Sequence, residues 1–218
     1  MTKKEEAELK RAARLQAERE RIEGMKEYEK KHSDCLYICG IDEAGRGPFA
    51  GPVVAGAVIL DKNKEILYLN DSKKLSEKKR EELYDVIMEN AISVGVGIVD
   101  SHIIDEINIL QATFMAMREA ISRLNPQPDF ILADAVHIPD IIIPQEGIIK
   151  GDAKSVSIAA GSIIAKVTRD RLMYEYDKMY PEYGFAKHKG YGTAAHIEAI
   201  RKYGPLDIHR RSFIHNYI

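Results

Sequence analysis

The chain has no tryptophan and only two cysteines among its 218 residues. Cys35 and Cys39 stand four residues apart in Cys-Leu-Tyr-Ile-Cys, which reads as the start of a strand. On an extended strand that spacing is too wide for a disulfide, and no further thiols exist to complete a zinc site. Buried free thiols in a reducing, cytoplasmic setting are expected. No apolar run approaches membrane-spanning length and the N-terminus lacks a signal-peptide core, so no membrane partner is expected. Internal repeats are absent. Glycine is present without a nucleotide fingerprint: Pro48 follows Gly45-Arg46-Gly47 directly, which fits neither a dinucleotide-binding turn nor a Walker loop.

An excess of one charge sign is also missing, with a formal net charge of -2. The distribution is uneven, however. From Lys166 to Ile218 there are ten Lys and Arg against six Asp and Glu, and four of the seven His. A local basic face is what phosphate-backbone binding needs. With 45% hydrophobic and 30% charged residues the composition is globular. The length suits one sizeable domain, or one domain with a helical appendage.

Residues 1–33 are dense in Lys, Arg, Glu and Ala and predict a solvated helical extension. Strand-like runs follow at Leu36–Ile41, Val53–Leu60 and Glu65–Leu69, spaced as an antiparallel meander. Ser76 is a helix cap for a segment reaching about Asn90. Ile92–Val99 is another strand. From Ser101, apolar residues at Ile103, Ile107, Leu110, Phe114, Met117, Ile121 and Leu124 predict one core-facing helix, stopped by Asn125-Pro126. Phe130–Ala133 is a buried strand ending at Asp134. A helix after Gly151-Asp152 runs to Pro181, and Ala194–Tyr203 is another. This order predicts an α/β fold, a mixed five-stranded sheet flanked by helices, with its working site at the carboxyl ends of parallel strands. The expected divisions are a charged extension (1–33), a catalytic core (34–172) and a small C-terminal helical region that contributes to substrate binding (173–218).

Asp42 and Glu43 close an apolar run and precede Gly45-Arg46-Gly47-Pro48. Paired carboxylates are ligands for Mg²⁺ or Mn²⁺, and a glycine-rich turn lets amides approach a phosphate or hydroxyl. Adjacent residues on a strand point to opposite faces, so the pair shares an ion only if the strand breaks there, and Gly45 and Gly47 are expected to supply that break. The competing reading is a polar strand end with a solvated turn. Asp134 ends an apolar strand, where its charge needs a metal, a partner or solvent. Asp152 sits where a helix begins, so capping competes with metal binding. Asp170, between Arg169 and Arg171, reads as a surface or ion-pair residue. In Lys187-His188-Lys189-Gly190-Tyr191-Gly192-Thr193 an aromatic lies among basic residues. Tyr191 is therefore a candidate for stacking on a sugar or base, or simply a loop residue packed on the domain.

Four segments, Gly40 to Pro48, Asp71-Ser72-Lys73-Lys74-Leu75, Gly151-Asp152 through Asp170, and Gly190 to Thr193, together resemble ribonuclease HII, the type 2 ribonuclease H family of bacteria. The resemblance covers about 36–214. It implies a ribonuclease H-like fold, hydrolysis of RNA in RNA–DNA hybrids, and incision 5′ to a single ribonucleotide in duplex DNA, as in ribonucleotide excision repair, leaving a 3′-hydroxyl and a 5′-phosphate. By the same resemblance Asp42, Glu43, Asp134 and Asp152 are the catalytic carboxylates. Gly45, Arg46 and Gly47 recognise the ribose 2′-hydroxyl, Tyr191 stacks on the neighbouring deoxyribose, and Lys73 belongs to the substrate-binding set. Two ions, Mg²⁺ or Mn²⁺, are implied. Asp42 is expected to bridge them, with Asp152 on the nucleophile side and Glu43 and Asp134 on the leaving-group side. A monomer acting on hybrids and ribonucleotide-containing duplex DNA is expected. Two positions depart from the family pattern: Ala135 stands where Gly is frequent, and Gly161 where Ala is expected. Inside a helix, Gly161 costs about 0.5–1 kcal/mol unless close packing requires it. The alternatives are another nuclease of this fold, such as a 3′-to-5′ exonuclease or a resolvase, and a nucleic-acid-binding module whose acids are structural.

Overall fold

Strand alternation places a core on each face of the sheet. Val53, Ala55, Ala57 and Ile59 enter one core, while Val58 enters the core on the opposite face, as a side-chain period of two requires. The structure, a computed structural model, describes residues 2–218. Its sheet contains β1 (Ile38–Ala44), β2 (Val53–Leu60), β3 (Ala91–Val99), β4 (Phe130–Asp134) and β5 (Gln145–Ile148), in the order β3-β2-β1-β4-β5. β1 pairs antiparallel with β2 and parallel with β4; β2–β3 is antiparallel and β4–β5 parallel. The expected mixed five-stranded sheet is therefore present.

The helices are α1 (Lys3–Gly24), α2 (Glu27–Lys31), α3 (Glu77–Asn90), α4 (Ser101–Ile107), α5 (Ile109–Ser122), α6 (Val156–Met179), α7 (Phe185–His188), α8 (Ala194–Tyr203) and α9 (Arg211–Ile214). α5 covers one face of the sheet, and α6 with α3 the other. Ser76 caps α3 as its sequence predicts. The last helices gather around Met173, Phe185, Ile200 and Ile214, with Ala50 from the β1–β2 loop. α6 runs unbroken through residue 172, so the sheet and the C-terminal region share one helix.

Several elements differ from the sequence expectation. Glu65–Leu69 forms no strand. Its buried residues, Ile66 and Leu69, are three apart, and its backbone is satisfied by α1: the Tyr68 amide donates to Glu18, and Arg21 donates to the Leu69 carbonyl. The fifth strand is Gln145–Ile148, whose Gln-Glu-Gly carries no apolar signal. The expected single helix over 101–124 breaks at Asn108, where φ is +68° and the side chain caps α5. β1 starts at Ile38 and leaves Cys35 outside it, half-buried; only Cys39 is a buried thiol. The charged extension is solvated along most of α1, but Ile22 and Met25 are buried, and Glu29 accepts from the Ser155 hydroxyl and the Ser157 amide at the start of α6.

α6 lies unusually close to β1 and β2. A Cβ on Gly40 would overlap the backbone carbonyl of Ser157, and one on Gly56 would overlap the carbonyl oxygen of Gly161. On Gly161 it would stand 2.7 Å from the Gly56 oxygen. The departure at Gly161 is thus explained by contact with the sheet, which outweighs its poor helix propensity. We predict that Gly40→Ala, by forcing the helix off the sheet, destabilises the fold by about 1–3 kcal/mol. A lowered urea midpoint with an unchanged m-value would register it.

Candidate active site

The carboxyl ends of the parallel strands β1 and β4 stand side by side, because Ile41 pairs with Ala133. Asp42 and Asp134, the next residues along, therefore share one end of the sheet. Asp152 arrives from a 3₁₀ turn, Gly151–Ala153, just before α6. Carboxylate oxygens of Asp42, Asp134 and Asp152 lie within 4.8 Å of one another. The turn is fastened to β4 by the Gly151 amide, which donates to Asp134 Oδ1 at 2.7 Å. Asp152 is not the cap of α6: the Ser155 hydroxyl accepts from the Ile158 amide at 3.1 Å and performs that role. Glu43 stands outside the three-acid set. The β1–β2 ladder continues through both acids, Asp42 opposite Gly56 and Glu43 opposite Ala55, so the strand does not break between or before them. The break comes at Gly45, where φ is +98°. Glu43 accepts from Arg46 Nη1 at 3.3 Å instead.

Electrostatically this is a site with too much negative charge. Burial, then the neighbouring Glu43, push the Asp42 carboxyl well above the usual range, and hydrogen bonds from Ser162 and the Glu43 amide only partly oppose this. Burial also raises Glu43, against the opposing charge of Arg46. Asp152 is pushed up to about 6 by burial and by Asp71 and Asp134. Lys73 is partly desolvated, but the surrounding Asp42, Asp71, Asp152 and Asp134 hold its ammonium on. All-oxygen donors, crowded and like-charged, fit a hard divalent cation, whose charge removes the repulsion.

A cleft of about 500 Å³ opens beside the acids. Glu43, Lys73 and Asp134 line it together with Gly45, Arg46, Gly47 and Tyr191. The sequence-predicted residues are thus brought to one place, with Tyr191 47% exposed at its edge. A Cβ on Gly47 would touch the Tyr191 ring at 3.6 Å. The amides of Arg46 and Gly47 donate to no protein group among the described residues. Asp71, Ser162 and Lys166 were not singled out from sequence. Asp71 is hydrogen-bonded to Asp152; its position in the Asp71–Leu75 motif was the available signal. Ser162 is hydrogen-bonded to Asp42 and lies 3.0 Å from the Ser72 hydroxyl. Lys166 pairs with Asp170 at 2.6 Å. Asp170 is an ion-pair residue as expected, but a buried one.

A family model described as Ribonuclease HII matches residues 39–216, which include every acid of the site. The chain belongs to the ribonuclease HII family. It is 64% identical over 206 residues to the ribonuclease HII of Lachnoclostridium phytofermentans, covering 94% of this chain and 81% of the relative. With that of Bacillus subtilis it shares 56% over 207 residues, covering 94% and 81%. Among solved structures it resembles ribonuclease H2 from Pyrococcus horikoshii, with a TM-score of 0.67 and 29% identity over 81% of this chain and 93% of that one. Ribonuclease HII membership makes the chain a metal-dependent hydrolase that cleaves the RNA strand of RNA–DNA hybrids, and sets aside both alternatives from the sequence. No helix among the described residues is long and apolar enough to cross a membrane.

The sign of the charge crowding is testable without substrate. A carboxyl raised to about 6 in the fold costs stability wherever the unfolded chain would ionise it, so the penalty is absent below the unfolded value near 3.9, grows between the two and is complete above the folded value. Without divalent metal, Asp152→Asn should therefore stabilise the protein by about 1–2 kcal/mol at pH 7.5, the gain fading toward pH 4. Added Mg²⁺ or Mn²⁺ should raise the melting temperature of the wild type more than that of the variant. Calorimetric melts across this range check both.

Proposed function

We propose that this enzyme also incises duplex DNA 5′ to a single embedded ribonucleotide, leaving a 3′-hydroxyl and a 5′-phosphate. The supporting observation is that one cleft joins Glu43 and Asp134, the latter clustered with Asp42 and Asp152, to Gly45, Arg46, Gly47 and Tyr191. A 2′-hydroxyl is what separates RNA from DNA at a given position. The unpartnered Arg46 and Gly47 amides are donors suited to it, and the adjacent Tyr191 ring is a stacking surface for the deoxyribose that follows.

In this reading Asp42, Glu43, Asp134 and Asp152 are the catalytic carboxylates and would hold two divalent cations, Mg²⁺ or Mn²⁺. When bound, such ions supply an activated water and neutralise charge at the leaving 3′-oxygen. Asp42, the most buried of these four, accepts from the Glu43 amide at 2.7 Å. Lys73 adds a positive charge beside the acids, where a scissile phosphate would lie.

The test is nicking of a closed circular duplex carrying one ribonucleotide, which denies an exonuclease any end. Wild type with Mg²⁺ or Mn²⁺ should nick once, on the 5′ side, while Asp42→Asn should give no product yet remain folded. Tyr191→Ala should lose about 10–100-fold on this substrate, the worth of one stacking contact, with a smaller loss on a long hybrid. Equal nicking by wild type and Asp42→Asn would refute the assignment.

A further inference from the structure

We infer that His209 and Arg210 are positioning residues that hold the two halves of the junction reader, the glycine turn and Tyr191, in register. The inference rests on the reading of Gly45–Gly47 and Tyr191 proposed above. The C-terminal segment lies against the β1–β2 loop as a short antiparallel bridge, Ala50 opposite His209. The Gly51 amide donates to the Ile208 carbonyl and the Arg210 amide to the Phe49 carbonyl, each at 2.8 Å.

From this bridge the two side chains diverge. Arg210 is fully buried and makes no carboxylate ion pair among the described residues. Its guanidinium donates to backbone carbonyls: Nη2 to Gly45 at 2.6 Å, Nη1 to Arg46 at 2.9 Å, and Nε and Nη2 to Gly51 at 3.0 and 2.8 Å. A planar fork with fixed donor directions fixes the turn's carbonyls, while the Arg46 and Gly47 amides keep no protein acceptor among the described residues.

His209 reaches Tyr191 through a second buried histidine, and the partners determine where each proton sits. His209 Nδ1 accepts from the Leu206 amide at 2.9 Å, so its proton is on Nε2 and is donated to His196 Nε2 at 3.0 Å. His196 therefore carries its proton on Nδ1 and donates it to the Tyr191 carbonyl at 3.0 Å. Each neutral ring has one donor and one acceptor, and the relay uses all four. A bond to Tyr191's backbone fixes the residue that faces Gly47, while none of the acids touches the relay.

The test separates positioning from general structural support. Steady-state kinetics are measured on duplex DNA with one ribonucleotide and on a long hybrid, with thermal melts alongside. His209→Leu should raise KM on the single-ribonucleotide duplex about tenfold, the effect of one lost buried hydrogen bond, and leave kcat on the hybrid unchanged. His209→Gln, whose amide nitrogen replaces Nε2–H, should restore most of the loss. In a Tyr191→Ala background His209→Leu should add nothing. If His209→Leu does not fold, Gln is compared with His209→Asn, which cannot reach His196, and Gln must outperform Asn. Equal losses on both substrates, no rescue by Gln, or additive losses with Tyr191→Ala would overturn the inference. If Tyr191→Ala itself leaves junction preference intact, the reader reading fails and this inference with it. If Tyr191→Ala is defective but His209→Leu is normal, only the positioning role fails.

Discussion

The site depends on the absence of side chains where α6 meets the sheet. Gly40, Gly56 and Gly161 let a helix backbone rest on two strand backbones, and any Cβ there would meet a carbonyl group. This approach sets the height of the turn that carries Asp152 above the strand that carries Asp42. It also brings Ser162, one residue beyond Gly161, to hydrogen-bond Asp42. Asp134 then needs only the parallel pairing of β4 with β1 to complete the triangle. The geometry of the three-acid cluster is thus a consequence of close packing, which tolerates little adjustment.

A second constraint is cationic and buried. Arg169 and Arg210 are each at most 1% exposed, and burial lowers their pKa values only to about 10 and about 9, so both stay charged at neutral pH. Arg169 donates to the carbonyls of Pro52, Lys189 and Ala50, as Arg210 does to those of the glycine turn. Carbonyl dipoles replace the water these charges have lost. The basic bias of the C-terminal quarter therefore has two components: some cations face outward, while these two stitch the C-terminal region to the loop after β1. Burial also pushes His196 and His209 down to about 4, so neither adds positive charge near neutrality.

How much was legible in the sequence follows from which interactions are local. Strand alternation in Val53–Leu60 and the cap at Ser76 are decided by near neighbours, and both appear as expected. That Asp42 and Asp134 would be neighbours was legible because parallel strand ends gather at one edge of such a sheet, and Asp152 because it stands just before the helix that lies close to that edge. The strand assigned to Glu65–Leu69 failed because its partner is α1, more than forty residues upstream, which no local pattern reveals. β5 was invisible because a short polar segment becomes a strand only when β4 offers it a free edge. The positioning roles of Arg210 and His209 depend on carbonyls about 160 residues away and on a second histidine, again beyond any local signal.

The acids are held where the fold is least comfortable. Ala135, next to Asp134, has φ +55°, and Lys150, two before Asp152, has φ +58°. A left-handed non-glycine residue costs on the order of 1–2 kcal/mol, and the crowded carboxylates add repulsion. Both kinks are answered nearby: the Ala135 amide donates to the Ile148 carbonyl, and the Gly151 amide, directly after Lys150, donates to Asp134. The strain is thereby tied to the same hydrogen bonds that fix the distance between β4 and the Asp152 turn. The backbone conformations that cost stability are thus the ones beside the three clustered acids, held by the hydrogen bonds that join β4 to the Asp152 turn.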